Sequence, residues 1–127
     1  VSDYIYITAE PYYFLIAINN ILTNIDKYAP NGRVDIRAEI VRKNCRLTFA
    51  DMGPGVPEKE LKKIFRRFYQ PKKSRIQYKR GVGLGLFLVR EILTIHKGTV
   101  RAFNNTIGPG LTIEFTMPLS RRNNEHG

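Results

Sequence analysis

Cys45-Arg46-Leu47-Thr48-Phe49-Ala50-Asp51-Met52-Gly53-Pro54-Gly55 is the stretch on which the fold turns. Cys45, Leu47, Phe49 and Asp51 share one parity, so a strand here points three apolar side chains into a core and ends the row on a carboxylate. An inward-facing carboxylate needs a donor. The glycines that follow, Gly53 and Gly55, make either a simple turn or a place where backbone approaches a ligand closely. Just upstream, Arg33 to Ile40 alternates strictly, with Val34, Ile36, Ala38 and Ile40 on one face and Arg33, Asp35, Arg37 and Glu39 on the other. That is the pattern of a half-buried strand, joined to the first by a tight turn at Lys43-Asn44.

Working outward, Glu10 to about Tyr28 is helical, with an acid and Pro11 at its start and Ala29-Pro30-Asn31-Gly32 as its stop. At about 100° per residue, Phe14, Ile18, Ile21, Leu22 and Ile25 share one side. Asn20, Asn24 and Lys27 form a polar stripe opposite. Tyr4 to Thr8 is predicted to be a first strand and Pro57 to Phe65 a short amphipathic helix. Gly83 to His96 forms a second long helix, apolar on most sides, with Lys97 and Gly98 as its stop. Thr99 to Phe103 and Leu111 to Met117 close the chain as a hairpin around Gly108-Pro109-Gly110. This order predicts an α+β two-layer sandwich: a mixed, mostly antiparallel sheet of about five strands with three helices on one face.

A chain of 127 residues, 43% hydrophobic and 25% charged, fits one soluble domain and excludes disordered and fibrous classes. No apolar run approaches the roughly 20 residues of a membrane span, and no signal peptide is visible. Cys45 is the single cysteine, which excludes an intrachain disulfide, and with two histidines it makes a poor structural zinc set. These features suit a reducing cytoplasm. The chain opens on Val1 without an initiator Met, as expected of a piece of a longer protein. The net charge of +10 predicts attraction to phosphate-bearing partners. Nine of the basic residues fall between Lys62 and Arg80, where apolar periodicity is lost, so much of the charge lies on one loop.

Three features carry chemistry. The helix stripe of Asn20, Asn24, Lys27 and Tyr28 offers two carboxamides, an ammonium and a phenol ring. Amides complete the shell of hard metals, Lys meets phosphate as a point charge, and an aromatic ring can lie against a base. Asp51 with its glycines is the second feature. Gly81-Val82-Gly83-Leu84-Gly85 is the third, a glycine-rich turn feeding a helix N-terminus whose unpaired N–H groups suit an anion. No P-loop is present, and the G-x-G-x-G spacing is not that of a dinucleotide fold. His96 fits a capping role, His126 sits in a polar tail at about 119–127, and Asn104-Asn105-Thr106 is a coincidental match to a glycosylation acceptor.

Taken in order, these segments resemble the catalytic and ATP-binding domain of bacterial sensor histidine kinases. Asn20 to Tyr28 is similar to that family's N box, Asp51 to Gly55 to its first glycine box, Ile64 to Tyr69 to its phenylalanine box, and Gly81 to Leu86 to its second glycine box. Gly108-Pro109-Gly110 with Thr112 and Phe115 resembles its closing hairpin. The resemblance spans Glu10 to Pro118 and implies a fold shared with gyrase-type, heat-shock and mismatch-repair ATPases, with a mobile lid at about 70–83. It implies Asn24 as a Mg²⁺ ligand, Asn20 and Lys27 as polyphosphate contacts, Tyr28 beside the adenine, and Asp51 as acceptor for the adenine amino group. Gly53, Gly55, Gly81, Gly83, Gly85 and Leu86 would frame the nucleotide, Thr112 would supply a hydroxyl, and Arg75 in the lid would reach the γ-phosphate. Ile25, Lys97 and Leu111 stand where the family carries Ala, Gly, and Ser or Thr.

The activity so implied is Mg-ATP-dependent phosphorylation of a histidine on a separate dimerisation domain of the same protein, with a response regulator downstream. The resemblance implies no nucleic-acid partner and no direct membrane contact. Related ATPases of this fold carry a glutamate four residues before the metal-binding asparagine, where this chain has Asn20, so slow hydrolysis by the chain alone is expected. An anti-sigma-factor-type serine kinase of the same fold and a basic nucleic-acid-binding module are the alternatives.

Overall fold

Two hairpins, separated in the chain by a helix, join edge to edge into one sheet. In the computed structural model, residues 4–28, 33–69 and 85–120 are described, without the side chains of residues 27 and 28. Strands β1 (Asp35–Val41), β2 (Asn44–Ala50), β3 (Thr99–Asn104) and β4 (Leu111–Pro118) lie in the order β1-β2-β4-β3. Every neighbouring pair is antiparallel. Among the described residues the sheet is therefore four-stranded and wholly antiparallel, rather than mixed with about five strands. The physical reason is connectivity, because β3 lands on the far edge and β4 turns back between it and β2.

Helices α1 (Pro11–Tyr28) and α2 (Gly85–Ile95) cover one face. Phe49 of β2 and Leu111, Ile113, Phe115 and Met117 of β4 meet Ala17 and Ile21 of α1 and Leu86, Val89, Ile92 and Leu93 of α2 in one core. Phe49 and Phe115 pack ring to ring at 5.5 Å. The fold is thus the expected α+β two-layer sandwich. Alternation on β2 places Asp51 at the end of its inward row, and the residue is buried as expected.

Several elements depart from the pattern reading. β1 has the expected parity, but it is an edge strand beyond the reach of the helices, and Ile36 and Ile40 are each about half exposed. The β1–β2 turn falls on Arg42-Lys43, since Val41 pairs with Asn44. In place of a first strand, Ile7 makes a single bridge with Leu119, because Glu10 and Pro11 turn the chain into α1 three residues later. In place of a short α-helix, Glu58–Glu60 and Lys63–Phe65 form two 3₁₀ turns. Nine residues are too few to sustain an isolated helix, and the tighter turn brings Ile64 and Phe65 into the core together.

The open face of the sheet is polar. There Glu114 is buried between Arg46, whose Nε lies 3.0 Å from Oε1, and Arg101, whose Nε donates to Oε2. The carboxylate holds the Arg101 guanidinium pKa above its ordinary value. Arg46 also reaches Glu39 at 3.3 Å, so the network joins β1, β2, β4 and β3.

Candidate functional site

Asp51 sits where β2 leaves the sheet. Its N–H donates to the Leu111 carbonyl at 2.9 Å, which extends the β2–β4 ladder by one step. Its side chain then turns back on that ladder: Oδ1 accepts from the N–H of Gly53 at 3.0 Å and from the N–H of Leu111 at 2.9 Å. Both bonds fall on one oxygen. Oδ2 accepts none from the described residues, so the carboxylate is oriented by backbone and keeps one acceptor in reserve.

The loop carrying Asp51 is pinned to the β3–β4 hairpin. Asn105 Nδ2 donates to the Asp51 carbonyl and to the Pro109 carbonyl, both at 2.9 Å, while its Oδ1 accepts from the Thr112 hydroxyl at 2.6 Å. Asn104 pairs with Val56 like a strand neighbour, donating to its carbonyl at 2.6 Å and accepting from its N–H at 2.9 Å. Two glycines make this closeness possible. Gly55 adopts φ +75° with Asn104 against it, and a Cβ at Gly110, whose φ is +119°, would collide with the Asp51 carbonyl oxygen.

The second half of the site is the meeting of α1 and α2. Asn20 donates from Nδ2 to the Ile16 carbonyl at 2.8 Å, which leaves Oδ1 beside Gly85, the first residue of α2. A Cβ at Gly85 would lie 3.2 Å from that oxygen, so the start of α2 packs directly on the Asn20 amide. Asn24, one turn along α1, is half-buried, and its side chain makes no hydrogen bond among the described residues. Asn20 and Asn24 are therefore not on a solvent face. Fully buried Ala17 lies between the apolar arc and the asparagines, so the stripe borders the core at the α1–α2 seam.

Two expected contacts are placed elsewhere. Thr112 has the parity opposite to Leu111 and Ile113, and its hydroxyl donates to Asn105, so it buttresses the Asp51 loop. The Leu86 side chain is buried in the core. The side chains of Lys27 and Tyr28, together with Arg75, Gly81, Gly83 and the lid stretch 70–83, lie outside the described residues. In the phenylalanine box, Ile64 and Phe65 are core residues, Phe68 is exposed, and Arg67 stacks 5.0 Å from the Phe87 ring of α2.

Pattern reading missed Asn104 and Asn105, whose carboxamides looked like part of a surface tripeptide. Their signal was position, two amides at the mouth of a glycine turn facing a second glycine loop. His96 does cap, and it caps two helices at once. Its Nδ1 lies 2.8 Å from the Ile92 carbonyl and its Nε2 accepts from the Glu10 N–H at 3.0 Å, while the Glu10 carboxylate accepts from the Tyr13 N–H at 2.9 Å.

The family model described as histidine kinase-, DNA gyrase B- and HSP90-like ATPase matches residues 13–121. The chain belongs to that family. Among its relatives, signal transduction histidine-protein kinase BaeS of Escherichia coli (strain K12) is 39% identical over 104 residues, covering 81% of this chain and 22% of that protein. Sensor histidine kinase WalK of Bacillus subtilis (strain 168) is 35% identical over 106 residues, covering 80% and 17%. The chain thus spans about a fifth of the length of the curated relatives it matches. The solved mycobacterial sensor histidine kinase MprB superposes with a TM-score of 0.76 at 29% identity, covering 89% of this chain and 74% of that one. Full-length ShkA in complex with AMPPNP gives 0.77 at 27% identity, covering 94% and 24%. These relatives favour the histidine-kinase reading over the serine-kinase and nucleic-acid alternatives.

Proposed function

We propose that this chain binds Mg-ATP and passes the γ-phosphoryl group to a histidine on a separate helical domain of its own protein. The observation that carries the reading is Asp51. A buried carboxylate with one oxygen saturated by two backbone N–H groups and the other unused by the described residues is a fixed acceptor for a base amino group. Gly85 against Asn20 supports a phosphate path along the α1–α2 seam, where the N–H groups at the start of α2 favour an anion.

Asn24 fits Mg²⁺, because a half-buried carboxamide free of hydrogen bonds among the described residues offers a hard oxygen ligand. When bound, Mg²⁺ supplies neutralisation of phosphate charge. By the family resemblance, Lys27 and Arg75 would add positive charge toward the polyphosphate, Tyr28 would wall the base, and Gly81 and Gly83 with Gly85 would line the phosphates. Asn20 orients but cannot deprotonate water, since a carboxamide has no basic lone pair at neutral pH. The chain therefore holds ATP for transfer while leaving it nearly unhydrolysed. A response regulator would accept the phosphoryl group in turn, and the domain would work on the cytoplasmic side, where ATP is available.

The test is transfer from Mg-[γ-³²P]ATP with the chain and a purified helical domain bearing the acceptor histidine of the parent protein. Acid-labile label is expected on the acceptor domain and none on the chain, with loss of transfer in folded Asn24→Ala. Rapid multiple-turnover hydrolysis by the chain alone, abolished by Asp51→Asn, would replace the kinase reading with an ATPase.

A further inference from the structure

We infer that Asn105 is a positioning residue that sets purine selectivity by holding Asp51 in register with the Leu111 N–H. The inference rests on the proposed role of Asp51 at the base and goes beyond it.

Asp51 Oδ2 is directed by two things: where Oδ1 is held, and where the Asp51 peptide sits. Oδ1 is held in part by the N–H of Leu111, which belongs to the β3–β4 hairpin. The Asp51 peptide belongs to the loop after β2. The two must keep a fixed offset for the carboxylate plane to be fixed. Asn105 supplies that offset with a single rigid amide. One N–H goes to the Asp51 carbonyl, the other to the Pro109 carbonyl beside Gly110, and the oxygen is braced by Thr112. The Asn105 backbone N–H adds a bond to the Gly110 carbonyl at 2.9 Å, which closes the turn around the same point. Asn104 fixes the far end of the loop at Val56, so the loop is clamped at both ends by adjacent asparagines. Both Asn105 donors are spent on the hairpin and the Asp51 loop, so its contribution to a nucleotide is made through Asp51.

This role has a signature that plain loss of stability lacks. A shifted Asp51 weakens only ligands that donate to it. ATP carries a 6-amino group, whereas purine riboside triphosphate has hydrogen there and the same ring, sugar and phosphates. A site whose charged acceptor meets a donor favours the donor-bearing ligand by on the order of tenfold to a hundredfold. Wild type should show that preference, and Asn105→Ala should lose most of it through weaker ATP binding alone, with analogue affinity unchanged. Thr112→Val keeps both Asn105 donors but removes the brace on Oδ1, and should show a smaller shift in the same direction.

The experiment is calorimetry of Mg-ATP and Mg-purine riboside triphosphate with wild type, Asp51→Asn, Asn105→Ala and Thr112→Val, each confirmed as folded by amide NMR. If Asn105→Ala does not fold, Thr112→Val decides the inference. Loss of preference in Asp51→Asn and in the deciding Asn105 or Thr112 variant supports the positioning role. An unchanged preference in that variant, or equal weakening of both ligands, overturns it while leaving the role of Asp51 intact. A preference that survives Asp51→Asn overturns the base reading itself.

Discussion

Replacing Lys97 by Gly should stabilise the protein, although Lys97 is exposed and takes part in no side-chain hydrogen bond or ion pair among the described residues. The reason is backbone geometry at the end of α2. The Gly98 N–H reaches back to the Leu93 carbonyl at 2.7 Å and the Lys97 N–H to the Thr94 carbonyl at 3.0 Å, the bonding pattern of a Schellman cap. In that cap the left-handed residue is Lys97, with φ 62°. A non-glycine residue there costs about 1–2 kcal/mol. Glycine returns about 0.4–1 kcal/mol of this through the freedom it loses on folding. The net gain is about 0.5–1 kcal/mol, and an unfolding entropy of about 2.1 cal/mol/K per residue turns that into a Tm rise of roughly 2–4 °C for a chain of this length. Gly98 behaves oppositely. A Cβ there would lie 2.6 Å from the Thr116 carbonyl oxygen and 3.0 Å from both Leu93 Cδ1 and Met117 Cγ, so Gly98→Ala should lower the Tm well beyond that margin. Nucleotide-free scanning calorimetry of both variants measures the pair. A Lys97→Gly protein no more stable than wild type would refute the strain argument.

On the open face, Glu114→Ala should cost about 2 kcal/mol by urea unfolding, because the buried carboxylate bonds two guanidinium groups. Arg101→Ala should cost less than about 1 kcal/mol, because its side chain is 69% exposed. Burial pushes the Cys45 thiol pKa upward, which favours the neutral thiol in the folded state, so its contribution to stability holds at neutral pH and fades as pH rises through the folded value. A disulfide reagent at neutral pH should leave Cys45 unmodified until denaturant is added. His96→Ala removes the acceptor for the Glu10 N–H and the partner of the Ile92 carbonyl, and hydrogen exchange should quicken in the first turn of α1 and the last turn of α2 and little elsewhere.

What was legible from residue order was whatever repeats with the period of its element. The parity of β2 located Asp51 at a buried strand end, and the helical spacing of Asn20 and Asn24 placed them on one seam. Parity identifies a face but says nothing of what covers it, which is why β1 looked half-buried and is an exposed edge. Ala17, too small to weigh in an apolar count, is fully buried and extends the buried side of α1 toward Asn20 and Asn24. Asn104 and Asn105 were illegible for a different reason. Their partners, Val56 and Asp51, lie about fifty residues away, and carboxamides announce no partner until the fold supplies one.

On the proposed reading, Asp51 receives the amino group of an adenine base where β2 leaves the sheet. Calorimetric titration of the intact chain with Mg-ATP and with Mg-ITP, whose base has a carbonyl in place of the amino group, tests it most directly. Saturable binding of Mg-ATP is expected, with far weaker binding of Mg-ITP and collapse of the difference in folded Asp51→Asn. Equal affinity for the two nucleotides in the wild-type chain would contradict it.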